Sequence, residues 1–157
     1  MEINKAGHPL VVAPNGNVRK APPPMKISAA KVRKDLWIAY HLAHAAWIDR
    51  AAAADPSIVA AICAHPGPAR ILAKNHRIAE VAEADHYVCR RLTQWRGTTW
   101  ALIHNRYADR VIALDPEGIY RAINRNAKVA RVLATHVMFN QMVVENPDLG
   151  KFVALHM

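Results

Sequence analysis

Between Arg50 and Lys151 a cation recurs with a regular period: Arg50, Arg70, Arg90, Arg110, Arg131 and Lys151 are separated by 20, 20, 20, 21 and 20 residues. Two positions after each stands an apolar residue (Ala52, Leu72, Leu92, Ile112, Leu133, Val153), and the position after that is small (Ala53, Ala73, Thr93, Ala113, Ala134, Ala154). Five residues before each of the last five cations comes His65, Asp85, Asn105, Asn126 or Asn146. Several columns in one register define a repeat. A unit this short cannot bury its own apolar face, so it must stack on its neighbours.

Each unit reads as two short helices. The first carries apolar residues at i, i+3 and i+4, as in Ile58, Ala61, Ile62 and in Ile119, Ala122, Ile123, the spacing that gathers one face of a helix for burial. The second begins at the Asx or His column, where a short polar side chain can accept from free N–H groups of the first turn. His65-Pro66 and Asn146-Pro147 place proline where its missing N–H is harmless. At 100° per residue the second helix is apolar around most of its circle, with the cation on a narrow polar edge. With apolar residues at 52% but aromatics at only 6%, the composition suits many short, closely packed helices. The expectation is an all-α, right-handed α-solenoid of about six helix-pair repeats of 20–21 residues over 35–157.

Residues 1–34 differ in kind. They hold Pro9, Pro14, Pro22, Pro23 and Pro24 and the turn-like Pro14-Asn15-Gly16-Asn17, so they are expected to form an extended arm. Much of the chain's net charge of +9 also lies here, in Lys5, Arg19, Lys20, Lys26, Lys31, Arg33 and Lys34 against Glu2. A basic tail suits contact with a polyanion or an acidic protein surface. Two cysteines, Cys63 and Cys89, make neither a disulfide framework nor a four-thiolate metal site. The start of the chain lacks the apolar stretch of a signal peptide, and no run reaches the roughly 18 apolar residues of a membrane span. A cytoplasmic protein with no membrane partner is expected.

The segments Ala64-His65-Pro66-Gly67-Pro68-Ala69-Arg70-Ile71-Leu72-Ala73 and Glu145-Asn146-Pro147-Asp148-Leu149-Gly150-Lys151-Phe152-Val153-Ala154 resemble leucine-rich repeat variant modules and, more loosely, HEAT-like repeats, over roughly residues 38–157. The resemblance implies short helix pairs stacked into a curved superhelix with a binding or scaffold role. No cysteine cluster matches the iron–sulfur segment of some relatives of the variant repeat.

The cation column has two readings. Six charges at the roughly 8–10 Å spacing of packed helices would make a positive ridge for phosphates or acidic side chains. Alternatively they form a structural ladder with neighbouring acids, and Asp49 and Asp109 immediately precede Arg50 and Arg110. His41 with His44 and Glu83 with His86 share an i, i+3 spacing, but lack the further glutamates on long helices that a di-iron bundle uses. No metal or cofactor is expected. The four tryptophans, Trp37, Trp47, Trp95 and Trp100, are read as packing residues. No nucleophile elbow, phosphate loop or zinc-protease motif is present.

The function expected is a non-catalytic adaptor or structural component binding protein partners in a larger assembly. The alternative is a nucleic-acid-binding solenoid using the arm and the Arg column, with a HEAT-like DNA glycosylase, Asp109 as its acid, as the enzymatic variant. The last unit ends in Phe152, Leu155 and Met157, apolar residues expected to pair with a second copy or dock on a partner.

Overall fold

Asp35 closes one helix and opens the next, and the same event recurs about every ten residues along the chain. Its backbone is extended (φ −117°, ψ 102°) while its carboxylate accepts from the N–H groups of Trp37 and Ile38. Asp55, Asn75, Asp85, Asn105 and Asn126 likewise accept, through a side-chain oxygen, from the N–H two residues on. One extended residue with a local acceptor breaks the helix and satisfies part of the next one's first turn.

The computed structural model describes residues 10–12, 18–20 and 27–157. Two strands, β1 (Leu10–Val12) and β2 (Val18–Lys20), pair antiparallel with Val12 opposite Val18. Thirteen helices follow among the described residues. They are α1 (Ala29–Lys34), α2 (Leu36–His44), α3 (Ile48–Ala54), α4 (Ser57–Ile62), α5 (Pro66–Lys74), α6 (Ile78–Ala84) and α7 (Val88–Leu92). Then come α8 (Arg96–Ile103), α9 (Ala108–Leu114), α10 (Glu117–Arg125), α11 (Lys128–Ala134), α12 (Phe139–Glu145) and α13 (Pro147–Leu155). Apart from the small hairpin the described chain is all-α, as expected. Helices of five to nine residues are too short to persist alone, so packing must hold them.

That packing follows a rule of three. α1 contacts α4, and α7, α10 and α13 continue the series; α2, α5, α8 and α11 form a second stack; α3, α6, α9 and α12 form a third. The expected packing unit of two helices is therefore corrected to three. The 20-residue register marks every second helix, whereas neighbours in space lie about 30 residues apart.

The core shows the same period. Val32, Ile62, Leu92, Ile123 and Val153 line the first stack, Leu42, Leu72, Leu102 and Leu133 the second, and all are buried. Polar side chains tie layers together at the corner that follows the second stack. Asn75 Nδ2 donates to the carbonyls of Ala43 (2.9 Å) and Ala45 (3.3 Å). One layer on, Asn105 Nδ2 donates to Ala73 (2.8 Å) and Asn75 (3.1 Å). In the next layer His136 Nε2 donates to the carbonyl of Asn105 (2.7 Å), and its Nδ1 accepts from the N–H of Met138 (2.9 Å). The carbonyls of Ala43 and Ala73 lie in the last turns of α2 and α5, where the helix itself leaves acceptors free, and those of Ala45, Asn75 and Asn105 lie in the corners, where each also accepts from the N–H three residues on. Gly118 permits another close approach: a Cβ there would lie 2.9 Å from the backbone nitrogen of Arg90, so α10 seats directly against α7.

Two expectations change. The sequence predicts an extended arm over 1–34, but residues 29–34 are α1, capped by Ser28 and packed on α4, with Val32 fully buried and its carbonyl accepting from His65 Nε2. Val32 supplies the apolar anchor that draws this segment into the helical body. Asn146, expected to cap α13 with its side chain, stands at the N-cap position but makes no such bond; its Nδ2 donates to Tyr120 Oη instead (3.1 Å).

Candidate functional site

A step of 20 residues advances two helices, which is two-thirds of the way round a layer of three. The cation column is thereby dispersed. Arg50 and Arg110 lie on the third stack, Arg70 and Arg131 on the second, and Arg90 and Lys151 on the first. Of the two readings of the column, the continuous ridge is not formed, because the residues that repeat every 20 positions are not the ones stacked on each other.

Two of the six cations pair with acids. Arg90 Nε contacts both carboxylate oxygens of buried Asp115 (3.0 and 2.8 Å), a bond that raises the guanidinium pKa above its ordinary value. The same guanidinium lies 5.3 Å from the centre of the Tyr87 ring. Arg110 Nη2 pairs with Glu83 (2.7 Å) across the third stack. Arg70, Arg131 and Lys151 are exposed, and Arg50 is half-buried. Of the arm cations, Lys31, Arg33 and Lys34 sit exposed in the last turn of α1, where positive charge suits the helix dipole. Arg19 and Lys20 belong to β2, and Lys26 lies outside the described residues. At the far end Leu155 and Met157 are exposed, whereas Phe152 is half-buried, with its ring centre 4.7 Å from Tyr120 and 4.5 Å from His156.

What the stacking does sort is sign. The helices of the second stack read LWIAYHLAH, PGPARILAK, RGTTWALI and KVARVLA, without one aspartate or glutamate. The third stack carries Asp49, Glu80, Glu83, Asp109 and Glu145. The first has many cations, but Glu117 and Asp148 lie among them, and Arg90 and Arg91 are bonded to Asp115 and Asp85. The second stack therefore presents cations with no acid on the same helices.

Two grooves cross this face. One, of about 530 Å³ and between α5 and α8, is lined by Arg70, Lys74, His76, Trp100, His104 and Arg106, among others. The other, of about 350 Å³ and between α8 and α11, is lined by Trp95, Arg96, Trp100, Arg125 and Lys128 with neighbouring polar residues. No acidic side chain lines either groove among the described residues. Arg70, Lys74, Arg96, Arg106 and Lys128 are exposed; Arg125 is partly committed, donating to the carbonyl of Thr93. Trp100 lines both grooves, half-buried, with the His104 ring centre 5.9 Å away.

Of this set only Arg70 belongs to the 20-residue column. Lys74, Arg96, Arg106 and Lys128 fall outside it, and Trp100 reads from the sequence as a packing residue. Comparison of every third helix would have exposed the missing acids. Both cysteines are buried, and burial pushes the Cys63 thiol up to about 12 and raises that of Cys89 as well, so neither is a ready nucleophile. Among the described residues no group of three or more His, Cys, Asp or Glu side chains is placed to hold a metal ion, and no helix is long and apolar enough to cross a membrane. The chain matches no protein-family model, no curated protein and no solved structure.

Proposed function

We propose that this chain is a non-catalytic, right-handed α-solenoid that works as a binding scaffold, and that its partner is a nucleic acid held on the second stack. The observation that carries the reading is the absence of acidic residues from α2, α5, α8 and α11, set against the five on α3, α6, α9 and α12. A face of one sign attracts a polyanion over distances up to the screening length and meets no repulsive contact on arrival. The basic segment before α1, with Arg19 and Lys20 in β2, adds charge of the same sign.

A protein partner in a larger assembly, the function expected first from the sequence, draws on a different feature. Val137, Val144, Leu155 and Met157 are exposed on the last layer, and apolar side chains exposed together suit docking on a partner or on a second copy.

The test is filter binding of a mixed-sequence oligonucleotide at 50 and 200 mM salt. Wild type is compared with a variant carrying Arg70→Glu, Lys74→Glu and Arg106→Glu, all exposed positions. Wild-type binding should weaken with salt, and the variant should lose at least about tenfold in affinity at the lower concentration. Equal binding by the two proteins, or none by wild type at low salt, would refute the reading. A variant carrying Arg33→Glu, Arg121→Glu and Lys151→Glu, three exposed positions on the first stack, changes the net charge by the same amount and serves as the control.

A further inference from the structure

Trp100 stands at an unusual place on this face. It lines the groove between α5 and α8 and also the groove between α8 and α11, and the lining cations Arg70, Lys74, Arg96 and Lys128 lie on those three helices, with Arg106 just after α8 and Arg125 at the end of α10. Trp100 packs in part against the core, and the part left uncovered is flanked on both sides by exposed cations with no acid among them. A flat aromatic ring between two cationic grooves is what a single strand requires. Phosphates are held by charge, and a base, free of a partner strand, stacks on the ring. In a duplex the bases are already stacked and paired, so the same ring has nothing to receive.

Resting on the proposed function, we infer that the nucleic acid is single-stranded, runs across α5, α8 and α11, and stacks a base on Trp100. Phosphates lie near Arg70, Lys74 and Arg106 on one side and near Arg96 and Lys128 on the other. Packed helices stand about 8–10 Å apart, so the path from α5 to α11 covers about 16–20 Å, room for a short run of nucleotides. If those five side chains each neutralise one phosphate, log K falls with log salt at a slope of about −3.5.

The test uses the full chain and fluorescence anisotropy with three labelled ligands of equal length: an oligo-dT strand, a duplex, and a strand abasic throughout. The abasic strand keeps every phosphate and offers no base. The expected order is oligo-dT tightest, with the abasic strand weaker by about 5-fold to 150-fold, the range that one base–aromatic stack supplies. Trp100→Leu should weaken oligo-dT by a similar factor and leave the abasic strand and the salt slope unchanged. Trp100→Phe, which keeps a ring, should restore most of the loss. Because the abasic comparison is made on wild type, it decides whether a base is held even if the leucine variant misfolds, and quenching of Trp fluorescence by oligo-dT that is lost in Trp100→Phe assigns the stack to Trp100 rather than Trp95.

Equal affinity for oligo-dT and the abasic strand, with both abolished by the charge reversals, would overturn stacking and leave the scaffold reading standing. Duplex bound as tightly as oligo-dT would overturn the single-strand assignment. No binding of any of the three at low salt, with an acidic phosphopeptide bound instead, would overturn both.

Discussion

Replacing Asn105 by alanine should destabilise the protein far more than replacing Asn126, although both belong to the same column of the sequence. Asn105 is buried. Its Nδ2 donates to the carbonyls of Ala73 and Asn75, and its Oδ1 accepts from the N–H of Tyr107 at 2.9 Å. Alanine removes all three bonds and leaves the carbonyl of fully buried Ala73 without this donor. At about 1 kcal/mol net for each bond the loss is about 3 kcal/mol. Asn126 is half-buried and its side chain accepts one bond, from the N–H of Lys128 at 3.1 Å, so its removal costs about 0.5–1 kcal/mol. For a chain of this length 1 kcal/mol moves the melting temperature by about 2–4 °C, which predicts a fall of about 6–12 °C for Asn105→Ala and of no more than about 4 °C for Asn126→Ala. Circular dichroism melts and urea titrations would measure both, with an unchanged m-value showing that stability alone has moved. Asn105→Asp is the sharper variant. It keeps an acceptor for Tyr107 but sets a carboxylate against two carbonyls, and should be at least as damaging as alanine. If Asn105→Ala and Asn126→Ala shift the urea midpoint equally, the ladder between layers does not hold the stack and the reasoning fails.

Two further outcomes follow from the packing. Removing residues 1–26 should leave the melting temperature unchanged, whereas removing 1–34 takes away α1 with buried Val32 and uncovers α4; loss of that one side chain alone costs about 1.5–3 kcal/mol, and equal melting of the two truncations would show that α1 is not part of the body. Cys63 and Cys89 should resist a thiol reagent at pH 8 in the folded protein and react with it in urea. Since the folded thiols hold their protons beyond the ordinary thiol pKa of about 8.5, stability should fall as pH rises through that value and above it, and urea midpoints at pH 7 and pH 10 compared with a Cys63→Ala variant would measure the fall.

Much of the fold was legible because its apolar positions keep strict time. Val32, Leu42, Ala52, Ile62, Leu72, Ala82, Leu92, Leu102, Ile112, Ile123 and Leu133 stand about ten residues apart and are all buried; Val143, next in step, is half-buried, and Val153 is buried again. The 20-residue columns mark every second member, because in the intervening helices the place of the cation is held by Tyr40, Ala60, Glu80, Trp100 and Gln141, with Arg121 the one exception. The number of helices in a layer was not legible. It depends on the angle at which each helix leaves a corner, set by one extended residue such as Asp85 (φ −130°, ψ 96°) or Asn126 (φ −152°, ψ 102°). Side-chain type does not reveal that angle. Asn75, Asn105 and His136 do the same work at successive layers with two different chemistries, and Ala45 holds the equivalent place with none.

That single missing quantity decides how charge in the sequence becomes charge on a surface. With two helices in a layer, residues 20 apart would share a face, and Arg50 through Lys151 would be a site. With three, residues 30 apart share a face, and the same six cations are shared out two to a stack. A property belongs to a surface here only if it holds for every third helix. The cation column fails that condition, whereas freedom from acidic residues meets it through α2, α5, α8 and α11. Acids can be dispensed with there because the structural ion pairs are made elsewhere: Arg90 with Asp115, Arg91 with Asp85 and Arg110 with Glu83 all lie on the other two stacks and the corner between them. The second stack is held by its leucines and by bonds from Asn and His side chains to backbone carbonyls. Its cations are therefore not needed to hold the layers together, and remain available to a ligand.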